Sequence, residues 1–293
     1  MDTQTLKYIG KDLYKTHILK EWKRYIVFMT RCHLHKGQIN DLLDFFKATP
    51  QRQAMLEHTT SFVEQTTRAF FYKDSTWDER IAIVKNHIEY MENIFNDEAI
   101  AKLYVNGERI KLWEDVYEEQ PVVMELWFHG GQRKEGCLSL VLSLGADELY
   151  QIMFWLAPSP EDNELSLWIG ALQGTPNGSE IIKGLTKAFF GYRTKNLIFY
   201  GIRNVAAGLG CKHLYAVSNA GYYAMNHVRR DRKLKTSLDD FWQECEGQVC
   251  KDQRFFEMPI EEYRKSMEEL KPSKRAQHRR RFAKMDEITE SVT

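Results

Sequence analysis

The chain has 293 residues, with 41 Lys plus Arg against 41 Asp plus Glu and hence no formal net charge. Its hydrophobic share of 43% and charged share of 28% exclude a disordered chain, a collagen-like fibre and a disulfide-stapled miniprotein. With no overall charge, attraction to nucleic acid or anionic lipid has to come from a local patch.

The first residues show no continuous apolar stretch, so neither a secretory signal nor a membrane span is expected there. Ile18, Trp22, Tyr25, Ile26 and Met29 recur at helical spacing. A second helical run covers Ile39 to Phe46, with Asn40 or Asp41 as cap and Pro50 past its end. The pattern continues from Thr59 to Tyr72 through Phe62, Val63, Phe70 and Phe71. Thr76 and Glu79 have capping-box spacing, and Ile81, Ile83, Val84, His87, Ile88 and Met91 follow on one face. Residues 1–105 therefore read as a helical layer. Near Val105-Asn106-Gly107-Glu108 a turn signal changes the pattern.

Apolar runs then follow at Val122 to Phe128, Leu138 to Leu144, Leu149 to Leu156 and Leu165 to Leu172. They are separated by Gly, Asp and Pro, as in an antiparallel meander. The most apolar stretch, Cys137 to Ala157, is broken by Gly145, Asp147 and Glu148, which suits a hairpin and opposes a membrane span. Glu180 to Ala188 and Asn196 to Leu209 read as helices, Lys212 to Val217 as a strand, and a helix is expected after it. The reading is α+β: a helical N-terminal region, 1–105, packed on a mainly antiparallel sheet with flanking helices in 106–293. The five cysteines are scattered and odd in number, which suits reduced thiols in the cytoplasm and no structural zinc.

Several short pieces stand in a recognisable order. They are Lys134-Glu135-Gly136, Glu148-Leu149-Tyr150, the run LWIGALQG from Leu167 to Gly174, Lys183 to Lys187, Leu209 to Asn219, and Arg279-Arg280-Arg281-Phe282. In this order the chain resembles the VirK/YbjX family of Gram-negative bacteria. The resemblance implies a setting in virulence and the cell envelope. It carries no defined activity.

The element order between 122 and 230 also resembles the acyl-CoA N-acyltransferase fold. That resemblance implies a phosphate-binding loop after a central strand, where backbone N–H groups and a helix N-terminus suit an anion. Here Gln173, Gly174 and Gly178 would hold the phosphates of an acyl-CoA or of an acyl carrier protein thioester. The family's loop spacing is matched only loosely, and Glu180 would oppose an anion unless it turns away. Ser179 could equally cap an ordinary helix. Asn219 would contact the cofactor, and Tyr222 or Tyr223 would protonate the leaving thiolate; alternatively, Asn219 caps a helix and the tyrosines pack.

His129, Glu135 and His227 are the candidate bases. His129 and Glu135 would face each other if 129–136 formed a hairpin. No Gly-x-Ser-x-Gly, phosphate-binding P-loop or Gly-x-Gly-x-x-Gly motif occurs. Finally, Lys271 to Lys284 carries seven basic residues and no acid. Pro272-Ser273 would start a helix on which Arg275 and Arg279 share a face beside Lys274, with Arg280 next to them. This patch would dock an acidic carrier protein or an anionic membrane surface. Nucleic acid is disfavoured because only Phe282 interleaves the charges. The two functions compatible with these features are acyl transfer to an amine or hydroxyl, and a non-enzymatic adaptor peripheral to the inner membrane. A polar cleft with a base beside Gln173 would favour the first.

Overall fold

The computed structural model describes residues 3–175, 178–226 and 237–293. Helices come first: α1 (Thr3–Leu13), α2 (Leu19–Leu34), α3 (Lys36–Lys47), α4 (Pro50–His58), α5 (Ser61–Thr67), α6 (Trp77–Ile94) and α7 (Asp97–Tyr104). Five strands follow without interruption: β1 (Ile110–Tyr117), β2 (Gln120–Trp127), β3 (Leu138–Leu144), β4 (Asp147–Pro158) and β5 (Leu165–Gly174). Then come α8 (Ser179–Ala188), α9 (Thr194–Gly208), β6 (His213–Val217), α10 (Leu238–Glu244), β7 (Gln248–Val249), β8 (Phe255–Met258) and α11 (Pro272–Val292). The α+β class read from the sequence is the one the chain adopts.

One eight-stranded sheet runs in the order β1-β2-β3-β4-β5-β6-β8-β7. Neighbours are antiparallel except β5 and β6, which are parallel across the α8–α9 crossover. The β3–β4 hairpin turns at Gly145, whose φ of +57° is costly for residues with a Cβ. Asp147 pairs with Leu144 beside that turn, as the break in the apolar run predicts. Directly paired residues share a face of the sheet. Ser139, Met153 and Ala171 lie on one face, together with Trp155, Trp168 and Tyr215. On the other face Leu140, Ile152 and Leu172 meet α9. A Cβ on Gly201 there would stand 2.7 Å from the Met124 sulfur, so the glycine lets α9 lie close to the sheet.

α6 begins with the expected capping box, Thr76 and Glu79 satisfying each other's backbone N–H groups. Its apolar face is buried against β4 and α5. β3 starts at Leu138, opposite Phe154, so the edge of β4 beyond that point has no strand beside it. His87 of α6 fills the gap: its Nδ1 accepts the Leu156 N–H at 3.1 Å, and its Nε2 is 2.7 Å from the Tyr104 hydroxyl. An accepting Nδ1 fixes the neutral tautomer with hydrogen on Nε2, which therefore donates to the phenol oxygen.

Four expectations need correction. The sequence reading missed β1, because Lys111, Glu114 and Val116 are exposed and only Trp113 is buried on this edge strand. The helix expected over Thr59–Tyr72 ends at Thr67, and Tyr72 makes an isolated bridge with Tyr222. Residues 129–136 are a compact turn rather than a strand hairpin; Gln132 N–H donates to the His129 carbonyl at 3.1 Å. After β6 the chain makes a 3₁₀ turn, Tyr223–Asn226, where the reading placed the start of a helix; residues 227–236 lie outside the described residues, and α10 runs from Leu238. His227, Pro176 and Asn177 lie outside the described residues.

Candidate functional site

Two glycines bring the site together. A Cβ on Gly170 would fall inside the Glu135 carbonyl group, and one on Gly136 would lie 2.6 Å from the Phe154 nitrogen. Only hydrogen fits at either position. Gly170 is also the extra residue of a bulge, since Met153 pairs with Ala171 and Phe154 with Ile169. The 132–137 loop can therefore lie flat across β4 and β5, and Gln65 of α5 holds it there through the Gly136 carbonyl at 2.8 Å.

This loop delivers Glu135 to a buried position, 4% exposed. Its Oε1 accepts the Tyr222 hydroxyl at 2.6 Å, and its Oε2 accepts the Gln173 amide at 2.9 Å. Burial pushes the carboxyl above the ordinary range, and the hydrogen bonds from Tyr222 and Gln173 and the nearby Lys134 oppose that only in part. The Tyr222 phenol is pushed up strongly, by burial first and by the Glu135 charge second, so it keeps its proton.

A cavity of about 500 Å³ opens beside this pair. His129, Gln132, Lys134, Glu135, Gln151, Gln173, Tyr222 and Tyr223 line it. β5 pairs with β6 only from Ser166 to Ile169, then runs on to Gly174 with no strand beside it on that side among the described residues. The cleft thus sits where the two parallel strands part, a common place for ligands in sheets of this kind.

His129 and Glu135 line the same cleft without a bond to each other. The imidazole stacks on Trp127, with ring centroids 4.3 Å apart. Its Nδ1 is 3.2 Å from the Gly131 N–H and its Nε2 is 3.2 Å from the Gln151 amide nitrogen. A neutral ring can accept at only one of these. Burial is the main cause that holds its pKa below the usual value. Gln151 also donates to Gln132 at 3.0 Å and to Ser139 at 2.9 Å. Sequence reasoning did not single out Gln132, Ser139 or Gln151. Isolated glycines inside strand patterns, Gly136 and Gly170, were the available signal that something approaches closely here.

The remaining candidates are placed as follows. Gln173, Gly174 and Thr175 are exposed at the end of β5. Gly178 is the N-cap of α8 and supplies no side-chain cap, and Ser179 is the first helical residue rather than the cap. Glu180 turns to solvent, where it pairs with Lys183 at 2.8 Å. Asn219 is committed elsewhere: its amide donates to Ser237 at 3.0 Å and accepts the Leu238 N–H at 2.8 Å, tying the start of α10. Tyr223 is buried beside Tyr222, with ring centroids 5.0 Å apart.

The C-terminal basic run forms the first half of α11, far along the chain from the cleft residues. Arg279 and Arg280 are exposed, and Lys274 reaches Gln277 at 3.4 Å. Arg275 donates to the Leu270 carbonyl at 3.2 Å. Arg281 is structural: it holds the Phe190 carbonyl at 2.8 Å together with Gln277. Among the described residues no helix is long and apolar enough to cross a membrane.

Comparison with known proteins gives a consistent assignment. The family model DUF535, described as a protein of unknown function, matches residues 17–293. An uncharacterized protein of Haemophilus influenzae is 22% identical over 260 residues, 87% of this chain and 84% of that protein. The uncharacterized protein YbjX of Escherichia coli is 31% identical over 129 residues, 42% of this chain and 38% of that protein. No solved structure matches significantly.

Proposed function

The chain belongs to the DUF535 family, and from that premise we propose that it transfers an acyl group from a thioester carrier to an amine or hydroxyl. The observation that carries this reading is the buried Glu135 carboxylate, held between Tyr222 and Gln173 at the mouth of a polar cleft. An adaptor needs no such arrangement. The parallel β5–β6 pair and its diverging end support the same reading, because they suit a ligand between the strands. Fold likeness alone would not, since one fold hosts many chemistries.

The chemistry assigned to the cleft is short. Glu135, with its raised proton affinity, takes the proton of the attacking amine or hydroxyl. The new C–N or C–O bond forms as the thioester C–S bond breaks. Once that proton has neutralised Glu135, whose charge helps hold the phenol proton, Tyr222, or Tyr223 beside it, gives a proton to the leaving thiolate. Tyr222 then recovers its proton from Glu135 along the 2.6 Å hydrogen bond, and Tyr223, where it is the donor, recovers its own through Tyr222. His129 is the second candidate base, displaced from Glu135 but open to the same cleft. The Gln173–Gly178 segment would take the donor's phosphates, with the uncapped start of α8 as the electropositive end. Asn219 stands outside this scheme, because its amide caps α10.

Coenzyme A or an acyl derivative should raise the melting temperature by binding the native state. Gly174→Val should abolish that rise while leaving a folded chain, since its Cβ would meet only the Tyr150 ring, at 2.9 Å. No shift with any coenzyme A species or acyl carrier protein would favour the adaptor at the inner membrane. We assign Lys274, Arg275, Arg279 and Arg280 to docking of an acidic carrier protein. Replacing Arg279 and Arg280 by Ala should then weaken binding of acyl carrier protein several-fold, and more at low salt, without changing the shift produced by coenzyme A. Equal loss for both donors would contradict that assignment.

A further inference from the structure

The α1–α2 end of the molecule carries a feature unrelated to the cleft. Phe28 and Cys32 face the interior from α2, with Tyr25 half-buried beside them. The neighbouring stripe, starting at the helix's N-cap residue Ile18, is apolar and exposed: Ile18 is 44% exposed, Leu19 69%, Trp22 47% and Ile26 42%. These positions fall together on a helix of 3.6 residues per turn. Among the described residues no element of the fold covers them.

Next to this stripe, on the following arc of α2, lies a cavity of about 250 Å³. Lys23, Arg24, Arg31 and Arg68 line it, with Tyr14 and the exposed Val27. No carboxylate is part of its lining. Two acids stand behind it: Glu21 pairs with Arg24 at 2.6 Å, and Glu64 pairs with Arg68 at 3.3 Å and with Arg133. Lys23 has no acidic partner among the described residues, and Arg31 reaches only the Thr67 carbonyl, at 3.2 Å. Burial first, and repulsion by Arg68 second, lower the proton affinity of Arg31. An anion in the cavity would relieve that repulsion.

We infer that α2 docks on an anionic bilayer, its cationic cavity taking a lipid phosphate while Leu19, Trp22 and Ile26 enter the interface. Charge complementarity selects this occupant. A hydrophobic partner protein would not require four cations beside the stripe, and a free phosphate would not require the stripe. Trp at the polar–apolar boundary and Lys on the flanking arc are the features of a helix lying in the plane of a membrane. Each basic residue held near an anionic surface strengthens partitioning by about five-fold. This inference is independent of the acyl-transfer reading.

The test is sedimentation of the full chain with phosphatidylcholine vesicles, with and without phosphatidylglycerol, at low and high salt. Binding should require phosphatidylglycerol and weaken with salt. Lys23→Glu, and separately Trp22→Ser with Ile26→Ser, should each weaken it at least ten-fold; all three side chains are exposed, so the fold should persist. Arg279→Ala with Arg280→Ala should leave it unchanged. Four results would overturn the inference. The chain could bind pure phosphatidylcholine equally well. It could keep its vesicle affinity in the Trp22/Ile26 variant while glycerol 3-phosphate displaces the parent, which would make the cavity a soluble-phosphate site. It could lose binding only in the α11 variant. Or it could ignore vesicles while Trp22→Ser with Ile26→Ser converts a dimer to a monomer on gel filtration.

Discussion

Glu135→Gln should lower acyl transfer about 10²- to 10⁴-fold, the usual range for loss of a general base. The measurement is thiol release from an acyl-coenzyme A in the presence of a primary amine. The variant should fold, because a glutamine oxygen still accepts the Tyr222 hydroxyl, and Gln173 can turn its amide oxygen toward the new donor. The pH dependence adds a second test. A base works only when deprotonated, so the rate should fall as pH drops. Burial raises the Glu135 pKa, which places that fall above the ordinary carboxylate value of about 4.3. Glu135→Gln should remove this limb. Activity within a few-fold of the parent would instead make His129 the base. Its imidazole lies in the same cleft and its pKa is held low, mainly by burial.

The second large effect concerns stability. His87 is fully buried and burial lowers its pKa to about 3, against an ordinary value of 6.5. Between those values the unfolded chain binds a proton that the folded chain refuses. Stability from this group is therefore complete above pH 6.5 and is lost progressively as pH falls toward 3. The whole difference amounts to about 4 to 5 kcal/mol, and the portion lost between pH 7 and 4.5 to about 2 to 3 kcal/mol. Protonation at Nδ1 would also strand the Leu156 N–H at the open edge of β4. Urea unfolding at pH 7 and 4.5 should show this loss in the parent, and a smaller one in His87→Gln. Equal losses in the two chains would mean that other groups carry the acid sensitivity. At pH 7 the variant should be less stable than the parent, because Leu156 and Tyr104 lose a fitted partner.

The sequence made some of this legible and hid the rest for physical reasons. Leu138, Leu140, Leu142 and Leu144 announced β3, and Gly145 its turn, because both signals are local. Thr76 and Glu79 announced α6 in the same way. β1 was hidden because an edge strand with one buried residue, Trp113, has almost no apolar alternation. α5 was blurred because Glu64, Gln65, Thr66 and Thr67 are polar yet buried: Glu64 and Gln65 bond the distant Tyr14 and Gly136, while Thr66 and Thr67 bond carbonyls of their own helix. The stripe at Trp22 and Ile26 has the spacing of a core face, and spacing alone does not tell a core face from a docking face.

At the site, the fold resemblance grouped Glu135, Gln173, Tyr222 and His129, but the direct bonds of Glu135 were not legible: Gln173 lies 38 residues from it, and Tyr222 87 residues. What joins them is close backbone packing at Gly136 and Gly170, which a list of polar residues does not contain. Asn219 shows the reverse case. A residue type that suits a ligand also suits a helix cap, and only the geometry shows its amide bonded to Ser237 and Leu238.

The most direct test of the acyl-transfer site is hydrogen–deuterium exchange of the full chain with and without coenzyme A. If the donor lies along the end of β5 with its reactive end at Glu135, protection should rise in residues 173–183 and in the 132–137 loop. Gly174→Val should lose both changes. Protection confined to 271–281, or no protection with any coenzyme A species, would contradict the claim that this cleft is where acyl transfer takes place.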